Sequence, residues 1–239
     1  MNIEEILNQV DAFVWGPVMI CLLLGTHIFL TIRLRFIQRK LPTAIKMSVQ
    51  EDEDAEGDVS QFGALVTALA GTIGTGSIVG VATAIISGGP GAVFWMWLTG
   101  VFGIATKYTE VYAAMKYRVK DANGRMLGGA MYALERGFKF KTLGKILAVL
   151  FALFALLASF GIGSGVQVNA ISNIMNNTFD LGTVNLFGQD ASVISIIVGV
   201  LVAAITAVVI FGGIKSISRV CELLVPFMAV FYVLGCLII

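Results

Sequence analysis

Charged residues are spaced far apart along this chain. Uncharged runs cover residues 12–32, 59–106, 146–179, 191–214 and 223–239. About 20 apolar residues suffice for one helical crossing of a bilayer. The run 59–106 is 48 residues long and holds two crossings joined by the turn "SGGPG". The pattern therefore predicts six transmembrane helices, near 13–33, 61–87, 91–115, 146–168, 191–212 and 221–239, in one membrane domain over 1–239.

Composition agrees with that pattern. Of the 239 residues 57% are hydrophobic and 13% charged, and the mean hydropathy is +0.90. That composition excludes an ordinary soluble domain and indicates an all-α polytopic membrane protein in the lipid bilayer. The start, "MNIEEILNQVD", is acidic and lacks the basic segment of a cleavable signal, so the first run is a retained helix.

The 16 basic residues set the orientation. Five follow span one, eight lie in 116–145, Lys215 and Arg219 separate spans five and six, and Lys107 sits toward the inner end of span three. None occurs in 1–12, 87–91 or 169–190. Basic loops stay in the cytoplasm, which puts the N-terminus outside a plasma or inner membrane. The acidic stretch "EDEDAEGD" in the first inner loop weighs little in that rule.

Covalent chemistry has no visible machinery here. His27 is the single histidine, with no intramembrane carboxylate or cysteine pair beside it in sequence, and Cys21, Cys221 and Cys236 all fall inside spans. Lys107 and Glu110, three apart, are expected to pair near the cytoplasmic boundary. No enzyme activity, organic cofactor or nucleic-acid partner is expected.

The informative stretch is "AGTIGTGSIVGVATAIISGGPG" at 70–91, with seven glycines in 22 positions. Its GxGxxxG spacing inside an uncharged run does not fit a nucleotide loop. Gly76 and Gly80 form GxxxG, a surface for close helix packing. Gly71, Gly74 and Gly76 together go further, because each glycine weakens a helix by about 0.5–1 kcal/mol. A break near 71–77 is predicted at the middle of span two. Unwound backbone at that depth needs cover from protein or a polar cavity. Its free N–H groups suit an anionic group and its free carbonyls a cation, as in secondary transporters. A transport site and a packing surface both remain open on these residues alone.

A family resemblance narrows the choice. "GTIGTGSIVGVATAIISGGPGAVFWMW", "GIATKYTEVYAAMKYR", "FGGIKSIS" and "LVPFMAVFYVLG" closely resemble the alanine/glycine:cation symporter family of the amino acid–polyamine–organocation superfamily, over essentially the whole chain. The resemblance implies Na+- or H+-coupled symport of small neutral amino acids such as alanine or glycine. It also implies a 5+5 inverted-repeat, LeuT-like fold preceded by one extra helix. On the family pattern, amides around Thr75, Gly76 and Ser77 receive the substrate carboxylate. Carbonyls near Ala70, Gly71 and Gly74 face the ammonium group or the coupling cation, with Gly71 and Gly74 on the cation side. In "SFGIGSGVQVNA", Phe160 would be a wall and Gln167 a polar contact. Three positions depart from the pattern: Ser77 and Ser164 stand where the family has Asn, and Ala130 where it has Pro.

Family members run nearly twice as long, and this chain stops at "FYVLGCLII" within an apolar run. It is expected to lack the second repeat, to need that C-terminal half, and not to transport alone. Two other readings are a half-transporter completed by a second polypeptide and a non-transporting subunit that assembles through its glycine faces.

Overall fold

The computed structural model describes residues 3–50, 57–179, 181–186 and 189–238. Most of the acidic stretch after span one, and the final residue Ile239, lie outside them. The described residues are overwhelmingly helical. Helices α1 (Ile3–Val14) and α2 (Pro17–Arg33) are followed by a 3-10 turn and α3 (Leu41–Val49). Next come α4 (Gln61–Thr72), a π-helical turn at Gly76–Gly80, and α5 (Val81–Gly88). After α6 (Gly91–Lys116), a hairpin of β1 (Val119–Lys120) and β2 (Met126–Leu127) leads to α7 (Ala130–Gly137). Then α8 (Lys141–Ala158), a second π-helical turn at Ser159–Gly163, and α9 (Gly165–Thr178) form one long run. The hairpin of β3 (Thr183–Leu186) and β4 (Gln189–Ser192) connects it to α10 (Val193–Phe211) and α11 (Gly213–Ile238).

Four runs among the described residues are long and apolar enough to cross a membrane: Ile3–Arg33, Lys141–Thr178, Val193–Phe211 and Gly213–Ile238. The pair Gln61–Thr72 and Gly76–Gly88 is a fifth if taken as one broken span. Helix α6, expected as span three, has 26 residues but carries Lys107, Glu110 and Lys116 in its second half, which shortens its apolar stretch. Lys107 Nζ and Glu110 pair at 3.1 Å, as their spacing predicts, with both side chains more than half exposed. The run Lys141–Thr178 is 38 residues, longer than the expected 146–168 span.

Little of the apolar surface is turned inward. Val66, Ala105, Ala148, Ile194, Val198 and Val225 are buried, while most large apolar side chains point away from the protein. Such a surface in water would be one large sticky patch; lipid is the solvent that it suits. Packing joins α4 to α11, α2 to α6, α7 to α8 and α9 to α10. Polar groups knit these seams: His27 Nδ1 lies 2.7 Å from Thr106 Oγ1 between α2 and α6. At the far end of α9, Ser172 and Ser195 hydroxyls bond at 2.7 Å, and Asn176 bonds Ser195 at 2.8 Å and Ser192 at 2.5 Å.

The broken helix is anchored where it begins. Ser60 caps α4, its hydroxyl accepting from Gly63 N at 2.9 Å, which satisfies one of the otherwise free N–H groups of the first turn. The same Ser60 hydroxyl donates to Glu222 of α11 at 3.2 Å, and Ser218 donates to that carboxylate at 3.3 Å. Gly63 is buried against this cluster, and a Cβ there would collide with Ser218 Oγ and Glu222 Oε1. Glycine is what lets α11 approach α4 this closely.

Candidate functional site around the broken helix

Helix α4 ends where the glycines accumulate. Ile73 N makes the last bond, to Leu69 O at 2.7 Å, and Ile73 is extended at φ −85°, ψ 103°. The chain resumes with a tight turn in which Ser77 N donates to Gly74 O at 3.0 Å, and the two half-helices meet at a 57° bend. The break predicted near 71–77 is therefore present, and it is concentrated at Ile73–Gly74. It places the carbonyl end of α4 against the amide end of the following half-helix. Their partial charges are opposite in sign, negative on the α4 side and positive on the other.

Gln167 of α9 closes one side of this break. Its Oε1 accepts from Thr75 N at 3.2 Å. A Cβ on Gly74 would lie 3.1 Å from Gln167 Nε2, so the missing side chain at 74 makes room for the amide. On another side a cavity of about 240 Å³ opens between the break and α11. Ile73, Gly74, Ser77 and Ile78 line it from the broken helix, and Met228, Ala229, Tyr232 and Val233 from α11. Ser77 also bonds back across the break, its hydroxyl 3.4 Å from Thr72 O.

The sequence-predicted residues are thus partly assembled. Gly74, Thr75 and Gln167 meet, and Gly74 and Ser77 reach the cavity. Ala70 is in the last turn of α4 and half-buried; Gly71 and Gly76 are exposed, and a Cβ on either would meet nothing within 4 Å. Gly80 is equally open, so the Gly76–Gly80 pair packs against no helix among the described residues. Phe160 lies on the second π-helical turn, 77% exposed, and does not line the cavity. The α11 face was missed in sequence: Met228, Ala229, Tyr232 and Val233 follow the helical i, i+1, i+4, i+5 spacing of a single stripe, but nothing local says what that stripe faces.

The profile of the sodium:alanine symporter family matches residues 1–239. The chain belongs to that family. A curated relative, the sodium/alanine symporter AgcS of Methanococcus maripaludis, is 52% identical over 242 residues, covering all of this chain and 51% of the relative. An uncharacterized transporter of Haemophilus influenzae is 48% identical, covering all of this chain and 49% of the relative. The uncharacterized transporter YaaJ of Escherichia coli is 35% identical, over 98% of this chain and 46% of its own length. This symporter-family chain spans about half the length of the curated relatives it matches.

Proposed function

We propose that the gene product carrying this chain is a secondary active transporter in the cell membrane, with its N-terminus outside, that couples Na+ or H+ to uptake of a small neutral amino acid such as alanine or glycine. The observation that carries this reading is the 57° break at Ile73–Gly74 within an uncharged run, with Gln167 bonded to its Thr75 amide. Family membership and the name of the Methanococcus relative support Na+ and alanine as the first choices.

The chemistry follows from the two half-helix ends. The substrate carboxylate binds the amides of Thr75, Gly76 and Ser77, where the helix dipole is positive. The ammonium group and the cation bind the carbonyl side near Ala70, Gly71 and Gly74. Gln167 accepts from the Thr75 amide at 3.2 Å, so a carboxylate bound at that amide lies within reach of the Gln167 side chain, which becomes a ligand contact. Open space at Gly71 and Gly76 supports this, because a ligand needs bare backbone to approach. Phe160 enters only by family resemblance, as a wall reached after a rearrangement of the turn that carries it. The inverted second repeat of a 5+5 fold, a membrane crossing by α6 as span three, and six spans in this chain belong to the same proposal.

The test is uptake by the whole gene product in proteoliposomes, driven in turn by a Na+ and an H+ gradient. Alanine accumulation under one gradient supports the reading; none under either removes it. Gly76→Leu fills the open backbone and is expected to abolish alanine binding, and normal binding by that variant would put the site elsewhere. Residues 1–239 assayed alone are expected not to transport.

A second reading of the same family membership is a half-transporter whose other half is a separate polypeptide. Co-purification with a second membrane polypeptide that restores uptake distinguishes it. A non-transporting assembly subunit predicts instead that Gly76→Leu weakens association and leaves no ligand binding to lose.

A further inference from the structure

The stretch from the last residue of α6 to the first turn of α8 is strongly basic. Residues 116–145 hold eight Lys and Arg against two acids, Asp121 and Glu135. Asp121 is committed to its own turn, its Oδ1 accepting from Asn123 N at 2.8 Å and Arg125 N at 2.9 Å. Arg118 has no carboxylate partner among the described residues, where Lys107 and Glu110 form the ion pair of this end of α6.

The charge borders a built cleft. Where the end of α6 meets β2 and the start of α7, a cavity of about 320 Å³ has Val111, Met115, Met126 and Leu127 as its apolar wall and two charged residues in its lining, Arg118 and Glu110, the carboxylate of the latter being paired with Lys107 at 3.1 Å. Gly128 brings the strand end onto α6: a Cβ there would lie 3.2 Å from Arg118 Cβ and 3.4 Å from Ala114 O. The hairpin is therefore pinned, and the cleft is a feature of the fold. The segment runs directly into α8 at Lys141, the start of a run apolar enough to cross a membrane. Phe140, 71% exposed between Lys139 and Lys141, has the aromatic-beside-basic arrangement of a membrane-interface anchor.

We infer that this cleft binds an anionic phospholipid, with Arg118 on the headgroup phosphate and the Val111, Met115, Met126 and Leu127 wall against the glycerol and upper acyl chain. A basic cluster next to a membrane helix attracts anionic headgroups. The apolar wall next to the cation is what selects a lipid over a soluble acidic partner, which would use the charge and leave the wall wet. The inference stands independently of which solute the protein carries.

The experiment reconstitutes the whole gene product with mixed phosphatidylcholine and phosphatidylglycerol, extracts it gently, and counts retained lipids by mass spectrometry. Phosphatidylglycerol is expected to be retained in preference, and the preference to fall as salt rises. Arg118→Ala should reduce it about fivefold, the effect of one basic residue at a charged surface, while Arg118→Lys keeps most of it. Equal retention of both lipids by the unaltered protein would overturn the inference, as would a preference indifferent to salt and to Arg118→Ala. Full displacement of the lipid by inorganic phosphate would also overturn it, since the site would then read a free anion. If the alanine variant fails to fold, the salt series and Arg118→Lys still decide.

Discussion

Gly63 and Gly76 lie on the same interrupted helix and live in opposite surroundings. Gly63 is buried, and a Cβ there would run into Ser218 and Glu222 of α11; Gly76 is exposed, with nothing within 4 Å of that position. The first glycine exists so that protein can come close. The second leaves backbone bare, and bare backbone in a bilayer is a cost unless something else uses it. One residue type therefore serves cohesion at the start of α4 and accessibility beyond its break, and only the surroundings tell them apart.

The contrast can be broken most forcefully at Gly63. Gly63→Leu should cost about 3 kcal/mol, the upper end for overpacking, since a full side chain must displace the buried Ser218 hydroxyl and the half-buried Glu222 carboxylate, and thermal unfolding in detergent measures it. Gly76→Leu should leave the same melt nearly unchanged while removing alanine binding; equal destabilisation by both variants would end the distinction. Next in size is Glu222→Ala, which strips the shared acceptor from Ser60 and Ser218 and is expected to cost about 1–3 kcal/mol. Glu222→Gln keeps an acceptor and should cost visibly less in the same assay. Ser60→Ala removes the α4 cap and should cost about 1 kcal/mol. The smallest effect belongs to Gly76→Ala, about 0.5 kcal/mol in the stabilising direction, because alanine favours helix and finds open space.

Local pattern was enough for the break, because three glycines within six residues act on the very helix that carries them. It was enough for the Lys107–Glu110 pair for the same reason. The Thr75–Gln167 bond joins residues 92 apart in sequence; family resemblance implied Gln167 as a polar contact, and nothing in the sequence paired it with Thr75. The Ser60–Glu222 anchor, spanning 162 positions, was not legible at all. Glu222 stands just before the uncharged run 223–239 and reads as an ordinary boundary charge; only the docking of α11 onto α4 brings it the Ser60 hydroxyl. Phe160 shows the complementary difficulty. In an all-apolar run periodicity does not distinguish a face toward protein from one toward lipid, and the π-helical turn at Ser159–Gly163 shifts the phase of the helix at that very residue. Span counting suffers at α6, where length says crossing and the charges of its second half shorten the apolar stretch.

The long run Lys141–Thr178 measures about 57 Å at about 1.5 Å per residue, against a hydrocarbon core of about 30 Å. Much of that length must lean or stand clear of the lipid. Its far end is not loose, because Ser172 and Asn176 are bolted to Ser192 and Ser195 at the head of α10. Gln167, which grips the broken helix, sits little more than one helical turn from Ser172. The run therefore ties two distant places together: a displacement of the β3–β4 hairpin would reach the amide of Thr75 with almost no intervening chain to absorb it.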